Sequence, residues 1–196
     1  MKIDRLLFPI ETLGPGKRLV IWTKGCSKHC YRCANPELWD AENAREISVK
    51  ELAGIIHNIH SQTPVEGLTF TGGDPLEQAE ELLELLTELK DIIPDILVYT
   101  GYTYGELQAE WPEEMLKRLE QYVSVLIDGP YIDEKNNACP LRGSDNQELY
   151  FFDKNYEAQY REYLTRGRKI QNVFMGNSLI SVGIHNRNED REDEEA

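Results

Sequence analysis

The chain has 196 residues, of which 40% are hydrophobic and 29% charged, and its formal net charge at pH 7 is −14. This size and apolar content suit one globular domain with a sizeable core, and no apolar run reaches the eighteen residues of a membrane span. The negative charge argues against unaided binding to nucleic acid, because phosphates would repel the protein.

The first residues, MKIDRLLFPIETLG, carry acidic side chains early and lack a long apolar stretch. They therefore do not have the pattern of a signal peptide. We expect a cytoplasmic location, where a reducing environment makes metal binding or redox chemistry a more common use of clustered cysteines than disulfide formation.

The apolar pattern alternates between strand-like and helix-like segments along the chain. It predicts strands at residues 18–23, 67–73, 96–101 and 123–129, and helices at residues 48–61, 75–93 and 113–122. Ser48 and Glu51 form a predicted capping box at the first helix. Pro75 suits the first turn of the second helix, and Pro94 ends it. The sequence also predicts a helix within residues 155–169 and a strand within residues 178–185.

The order of these elements is strand, helix, strand, helix, strand, which predicts an α/β fold with a parallel sheet and right-handed crossovers. A complete eight-unit barrel takes about 250 residues, so we expect a partial, open parallel (β/α) barrel in a single domain. Chemistry in such folds lies at the carboxyl ends of the strands. The cysteine loop, residues 72–74, Thr100 and Asp128 all fall at such ends.

The last residues, EDREDEEA, hold six acidic side chains and one arginine. We predict a domain at residues 1–187 and a disordered, solubilising tail at residues 188–196. A docking tail for a basic partner is the alternative interpretation.

Three of the four cysteines, Cys26, Cys30 and Cys33, follow the first of these predicted strands with the spacing C-x3-C-x2-C. Thiolates ligate iron–sulfur clusters, and three of them would hold three irons of a four-iron cluster, leaving the fourth open to a small molecule. A structural zinc that adds His29 and a chance cluster of buried cysteines remain open. Cys139 is distant in sequence and is interpreted as a plain small residue, with a fourth metal ligand as the alternative interpretation.

The cysteine spacing is also the signature of radical S-adenosylmethionine enzymes, and TFTGGDPLEQ resembles their glycine-glycine-acid segment. The ordered set GPGKRLVIWTKGC, CANPELW, TGGDPL, VYTGYTYGEL and VLIDGPY…PLRGSDNQ resembles the activating proteins of anaerobic ribonucleotide reductase over roughly residues 8–150. These proteins are glycyl-radical activating enzymes.

The resemblance implies that Cys26, Cys30 and Cys33 hold a 4Fe-4S cluster whose open iron binds the amino and carboxylate groups of S-adenosylmethionine. An electron from the cluster would split the sulfonium bond into methionine and a 5′-deoxyadenosyl radical, which takes a hydrogen from a glycine Cα of the partner. The implied partners are a glycyl-radical enzyme, most directly anaerobic ribonucleotide reductase, and a low-potential electron donor such as flavodoxin or ferredoxin. No catalytic side chain beyond the cluster and cofactor is implied.

The predicted cofactor-binding residues are Gly72, Gly73, Asp74, Thr100 and Asp128. The glycines let backbone approach a ligand closely, and the Asp74 carboxylate suits a cationic amino group. A plain strand-to-helix turn at residues 72–75 is the alternative, and Asp74 can serve both purposes. Thr100 and Asp128 could equally belong to turns.

Two features depart from the family pattern. Arg32 occupies the position before the third cysteine, where many radical enzymes have an aromatic residue, and residues 153–196 have no counterpart in it. Two alternatives therefore accompany the main interpretation: a related radical enzyme that modifies another protein or peptide, and a non-catalytic metal-binding interaction protein. The polar segment LRGSDNQ contains Arg142, a good carboxylate partner, but its role cannot be read from the sequence.

Overall fold

The computed structural model describes residues 1–42 and 44–186. The predicted tail at residues 188–196 and the domain boundary before it lie outside these residues. The strands are β1 (Lys2–Ile10), β2 (Arg18–Thr23), β3 (Arg45–Glu46), β4 (Gly67–Gly72), β5 (Ile96–Tyr99), β6 (Val125–Ile127), β7 (Leu149–Phe151), β8 (Gln171–Met175) and β9 (Ser178–Val182). The helices are α1 (Val49–Gln62), α2 (Ala79–Leu89), α3 (Tyr104–Glu110), α4 (Glu113–Tyr122) and α5 (Glu157–Leu164). None of these described helices has the length and apolar content to cross a membrane.

The main sheet has the strand order β3-β1-β2-β4-β5-β6-β7, and β8 pairs with β9 in a separate hairpin. Strands β2, β4, β5 and β6 are parallel neighbours, which confirms the α/β class. The expectation of a parallel sheet is wrong at the edges, where β1 is antiparallel to β2 and β3, and β7 to β6. β1 reaches β2 through a short loop, and such a connection makes neighbours antiparallel.

Helices α1 to α4 pack on one face of the sheet. The parallel strands follow one another in chain order, so each right-handed crossover returns on the same side. Every second strand residue, such as Ile21, Phe70, Val98 and Leu126, joins the apolar core with these helices. The predicted capping box at Ser48 is present and begins α1.

The opposite face is covered largely by later parts of the chain. Val20 and Trp22 of β2 cluster with Val182 of β9. Leu97 of β5 clusters with Tyr160 of α5. Residues beyond 150 thus form a second layer on the face that the first four helices leave uncovered.

A buried ion pair lies at the amino ends of the parallel strands. Arg18 is fully buried, and its guanidinium lies 2.5 Å from the Asp95 carboxylate. It also donates to Thr69 Oγ1 at 2.6 Å, and the Tyr160 hydroxyl donates to Asp95 at 2.9 Å. A Cβ on Gly67 would lie 2.3 Å from the Arg18 guanidinium, so any larger residue at position 67 would collide with the arginine. This end of the sheet is a closed, paired polar core.

Candidate metal and cofactor site

The cysteine loop begins where β2 ends, and backbone hydrogen bonds hold its two ends together. The Gly25 amide donates to the Leu38 carbonyl at 2.9 Å, and the Cys26 amide donates to the Trp39 carbonyl at 3.0 Å. Leu38 is fully buried, so it anchors the returning chain in the core. The loop is therefore closed at its base by contacts that require no metal.

Within the loop, the chain turns sharply just before the second and third cysteines. His29 and Arg32 have positive φ angles of 44° and 56°, which residues other than glycine adopt infrequently. The Cys33 amide donates to the Cys30 carbonyl at 3.1 Å, and the Asn35 amide donates to Cys33 Sγ at 3.5 Å. All three cysteines are free thiols of intermediate exposure. These turns keep the thiols on one short loop at the protein surface.

Burial and backbone hydrogen bonds act in opposite directions on the pKa of two cysteines, and burial dominates. Burial raises the pKa of Cys26 to about 11, and hydrogen bonding from the Lys28 and His29 backbone acts in the opposite direction. Burial also raises the pKa of Cys30, and the Tyr131 backbone opposes that shift. Metal ligation must therefore displace a proton from these thiols. Amides directed at ligand sulfurs are also one of the means by which proteins tune iron–sulfur clusters.

The three thiols of the loop suit an iron–sulfur cluster by ligand type. Among residues 1–42 and 44–186, no group of His, Cys, Asp or Glu side chains converges to hold one metal ion. The His29 ring, a ligand in the zinc alternative, stacks on Trp39 with ring centroids 4.8 Å apart. A cubane cluster instead spreads its thiolates over different irons and does not require their convergence on one point.

The predicted glycine pair lies directly against the chain that leads into the cysteines. The Gly73 amide donates to the Thr23 carbonyl at 2.8 Å, and the Asp74 amide donates to the Gly25 carbonyl at 2.7 Å. Gly72 has a φ of +107°, and a Cβ on Gly73 would lie 2.3 Å from the Gly25 oxygen. Neither glycine can carry a side chain without moving this chain. The predicted close approach of the glycine backbone to a ligand stays a prediction.

Asp74 joins the carboxyl ends of β4 and β5. Its carboxylate accepts from the Leu76 amide at 3.0 Å, from Thr100 Oγ1 at 2.9 Å and from the Gly101 amide at 2.8 Å. The residue is only 1% exposed, and burial raises its pKa to about 6. Within the described residues no cationic side chain forms an ion pair with it. Asp74 and Thr100 are thus in direct contact on the predicted rim, and both face groups of the chain itself.

Lys28 connects the cysteine loop to the loop after β5. Its ammonium lies 3.9 Å from the centroid of the Tyr102 ring and 3.7 Å from the Glu106 carboxylate. A Cβ on Gly101 would lie 2.7 Å from the Lys28 side chain. No sequence pattern indicates this contact, because a lone lysine between cysteines has the pattern of a solvated residue.

Asp128 lies one strand further along the same rim. Its carboxylate accepts from the Tyr104 amide at 2.7 Å and from the Glu148 amide at 2.9 Å. These bonds join the end of β6 to the start of α3 and to the approach to β7. The structure therefore places Asp128 on the predicted rim, but its hydrogen bonds lead away from the cysteine loop.

The LRGSDNQ segment supports the loop that follows β6. Gln147 donates to the Gly129 carbonyl at 2.9 Å, and Ser144 Oγ accepts from the Ile132 amide at 3.1 Å. Arg142 donates to the Gln147 carbonyl at 2.8 Å, which fixes the segment itself. The role of this motif could not be predicted from the sequence, because its partners are backbone groups that a sequence does not identify.

The supported loop in turn contacts the second half of the cysteine loop. The Tyr131 hydroxyl donates to Asp133 at 2.7 Å, and the Arg32 guanidinium lies 3.3 Å from the same carboxylate. Asp133 is 4% exposed and the Arg32 side chain is 34% exposed, so only the carboxylate side of this ion pair is shielded from water. Arg32, the departure from the usual aromatic, therefore connects the cysteine loop to the β6 side of the rim. Its partner is 101 positions away, beyond the reach of a motif.

Comparisons with known proteins identify a family and relatives that match most of this chain. The family described as "4Fe-4S single cluster domain" matches residues 12–150. The anaerobic ribonucleoside-triphosphate reductase-activating protein of Enterobacteria phage T4 is 38% identical over 158 residues, which cover 76% of this chain and 94% of that protein. Its namesake from Vibrio cholerae is 31% identical over 152 residues, covering 74% and 95%. The pyruvate formate-lyase-activating enzyme of Clostridium pasteurianum is 31% identical over 129 residues, covering 64% and 51%.

Proposed function

Because the chain belongs to the family of anaerobic ribonucleoside-triphosphate reductase-activating proteins, we propose that it reductively cleaves S-adenosylmethionine and generates a glycyl radical on a partner enzyme. The proposed partner is an anaerobic ribonucleotide reductase, as the names of these relatives state for them. The near-complete coverage of those relatives supports a shared activity rather than one shared module. A reducing cytoplasm and a low-potential donor such as flavodoxin or ferredoxin suit this chemistry.

Cys26, Cys30 and Cys33 are the proposed cluster ligands. When bound, the 4Fe-4S cluster supplies the electron that splits S-adenosylmethionine into methionine and a 5′-deoxyadenosyl radical, which takes a hydrogen atom from a glycine of the partner. The chain contributes a loop whose base is already closed and whose own amides are directed at the sulfurs of Cys26 and Cys33. The backbone of Tyr131, outside the loop, hydrogen-bonds to Cys30. Arg32 and Lys28 hold that loop against two neighbouring loops of the rim.

The proposed cofactor site uses the backbone at Gly72 and Gly73 for the amino group of S-adenosylmethionine. Asp74 acts on this site mainly as a positioning residue, because its carboxylate fixes the glycine pair to Thr100 and Gly101. A buried carboxylate that has only neutral donors also favours a nearby cation electrostatically. Asp128 completes the rim by holding the loop after β5.

We assign the sheet the role of a partial barrel. The sequential parallel order of β2, β4, β5 and β6, with the first four helices on one face, supports this assignment. A radical must be kept from water and from side reactions. Residues beyond 150 cover much of the face opposite those helices. On this view the glycine loop of the partner therefore approaches the carboxyl ends of the parallel strands and completes the enclosure there.

The observation that carries the proposal is the contact between the glycine pair and the chain entering the cysteine loop. The test is anaerobic reconstitution with iron and sulfide, followed by reduction in the presence of S-adenosylmethionine. We expect bound iron and sulfide near four per chain, 5′-deoxyadenosine as product, and a glycyl-radical signal in the reductase by electron paramagnetic resonance. A colourless protein that tightly binds one zinc would contradict the proposal and favour the non-catalytic alternative.

A second candidate partner follows from one comparison. The similarity to a pyruvate formate-lyase-activating enzyme extends over 64% of this chain, so another glycyl-radical protein is the alternative substrate. Formation of 5′-deoxyadenosine without any radical signal in the reductase would select this alternative. The same assay with pyruvate formate-lyase as the added protein would then test it directly.

A further inference from the structure

The hairpin of β8 and β9 has one packed face and one exposed face. Val173, Ile180 and Val182 belong to the apolar cluster on the sheet, and Val182 is only 2% exposed. On the outer face, Phe174 and Leu179 are directly opposite each other across the strands and are 78% and 56% exposed. An aromatic and a leucine paired in water form the kind of apolar patch that marks an interaction surface.

Specific hydrogen bonds hold this hairpin in place. Gln171 donates to the Pro9 carbonyl at 2.8 Å and accepts from the Glu11 amide at 3.0 Å. The Thr12 hydroxyl donates to the Val182 carbonyl at 2.9 Å. The outer face is thus presented by an anchored element, and little conformational entropy remains to be lost when a partner binds.

The hairpin lies on the side of the sheet that faces away from helices α1 to α4. Its apolar cluster also contains Trp22, near the carboxyl end of β2, and Leu38 of the cysteine loop. The match to the 4Fe-4S family ends at residue 150, so the hairpin is an addition beyond that shared part. A macromolecule that enters from this side would meet the hairpin next to the cysteine loop.

The sequence that follows the hairpin indicates what kind of partner fits. Residues 187–195 are all polar and include six acidic side chains, so the sequence directly after the hairpin is rich in negative charge. The first of these acids, Glu189, follows Val182 by seven residues, which limits their separation to about 24 Å. A surface that matches both features has an apolar groove bordered by basic side chains.

We propose that the Phe174–Leu179 pair docks into an apolar groove with a basic rim on the glycyl-radical enzyme that this protein activates. The inference rests on the proposed function, because that function requires a protein substrate. Phenylalanine and leucine are then binding anchors, and the acidic residues accelerate the encounter.

The test compares the reconstituted Phe174→Ser/Leu179→Ser double variant with wild type. The matched control is Ile55→Ser/Ile92→Ser, which removes two other exposed apolar side chains that lie on or next to α1 and α2. We expect the KM for the reductase to rise tenfold or more in the hairpin variant only. Formation of 5′-deoxyadenosine without reductase should stay at the wild-type level in both variants.

The outcomes separate the docking inference from the function. An unchanged KM in a folded hairpin variant overturns the docking proposal and leaves the function intact. A dimeric wild type that becomes monomeric in the hairpin variant also overturns it, because the occupant is then a second copy. Should the variant fail to fold, hydrogen exchange of wild-type β8 and β9 decides, since docking requires slower exchange when reductase is added. A wild type that binds no iron contradicts the function itself.

Discussion

Two buried aspartates lie at opposite ends of the same sheet, and their surroundings differ in kind. Asp95, at the amino ends of the parallel strands, faces the fully buried Arg18 guanidinium at 2.5 Å. Asp74, at the carboxyl ends, accepts hydrogen bonds from amides and from Thr100, and burial raises its pKa to about 6. Both residues are 1% exposed, so depth of burial does not explain the difference.

We interpret this difference as one between a structural end of the sheet and the proposed functional end. A buried charge that is paired inside the protein contributes to a closed, specific core. A buried carboxylate held only by neutral groups is destabilising for the free protein, and such groups are concentrated at functional sites. We therefore expect substitutions at the amino ends of the parallel strands, around Arg18 and Asp95, to change folding. We expect substitutions at the rim formed by the carboxyl ends to change the cluster and cofactor chemistry.

The largest expected effect is at the rim. Cys30→Ser should remove one proposed cluster ligand and lower 5′-deoxyadenosine formation at least 100-fold, because a serine hydroxyl is a poor ligand for iron–sulfur clusters. The urea midpoint of the cluster-free protein should stay close to wild type, since the loop base is closed by backbone bonds. Cys139→Ser is the matched control and should keep full activity. Full iron content and normal turnover in Cys30→Ser would refute the ligand assignment.

The next largest effect is expected at the amino ends of the parallel strands. Asp95→Asn leaves the Arg18 guanidinium buried without a counter-charge, and we expect it to lower the free energy of unfolding by about 3–5 kcal/mol. Urea denaturation of cluster-free protein measures this, with the exposed Asp91→Asn as control. The fraction that remains folded should still take up iron normally. A decrease in unfolding free energy below about 1 kcal/mol would show that the Arg18–Asp95 pair does not distinguish the amino ends of the strands from the rim.

A smaller, pH-dependent effect is expected at Asp74. Its folded-state pKa of about 6 lies above the ordinary value of 3.8, so between these values the folded state binds more protons than the unfolded state. The stability that Asp74 contributes is therefore full below about pH 4 and is lost as pH rises through about 6. Asp74→Asn should remove this loss, which amounts to about 3 kcal/mol at most. The measurement is the unfolding free energy of cluster-free wild type and variant from pH 4 to 7, and parallel curves would contradict the expectation.

The smallest effect is expected from the ionic contact of the rim. Lys28 is 23% exposed and Glu106 is 45% exposed, so solvent screens their attraction. Lys28→Met should cost about 0.5–1 kcal/mol, mainly through the lost contact with the Tyr102 ring. Urea denaturation at low and high salt checks this value, with Lys50→Met as an exposed control. A decrease in unfolding free energy as large as that expected for Asp95→Asn would contradict the proposed difference between the two ends of the sheet.

Local signals in the sequence predict the middle of the fold and much of the rim. The strand at residues 18–23, the cap at Ser48 and the convergence of the glycine pair with the cysteine loop follow from periodicity, capping chemistry and the geometry of parallel strands. The edge strand β1 gave no such signal, since its burial pattern does not alternate regularly.

The contacts that distinguish the two ends of the sheet could not be predicted in the same way. Arg18 begins a strand and would ordinarily be read as exposed, and its partner Asp95 lies 77 positions away. The pairing depends on space left by Gly67, which only the folded arrangement makes visible. Gln147 likewise acts through backbone carbonyl groups, which carry no residue-specific signal.

The closed base of the cysteine loop has a consequence for survival in air. Gly25 and Cys26 are fastened to Leu38 and Trp39 by backbone hydrogen bonds that involve no thiol. Loss of the proposed cluster to oxygen would leave these backbone hydrogen bonds intact, so the empty loop could take up iron and sulfide again. Oxidative damage to such a protein would then be reversed by rebuilding the cluster, without synthesis of a new chain.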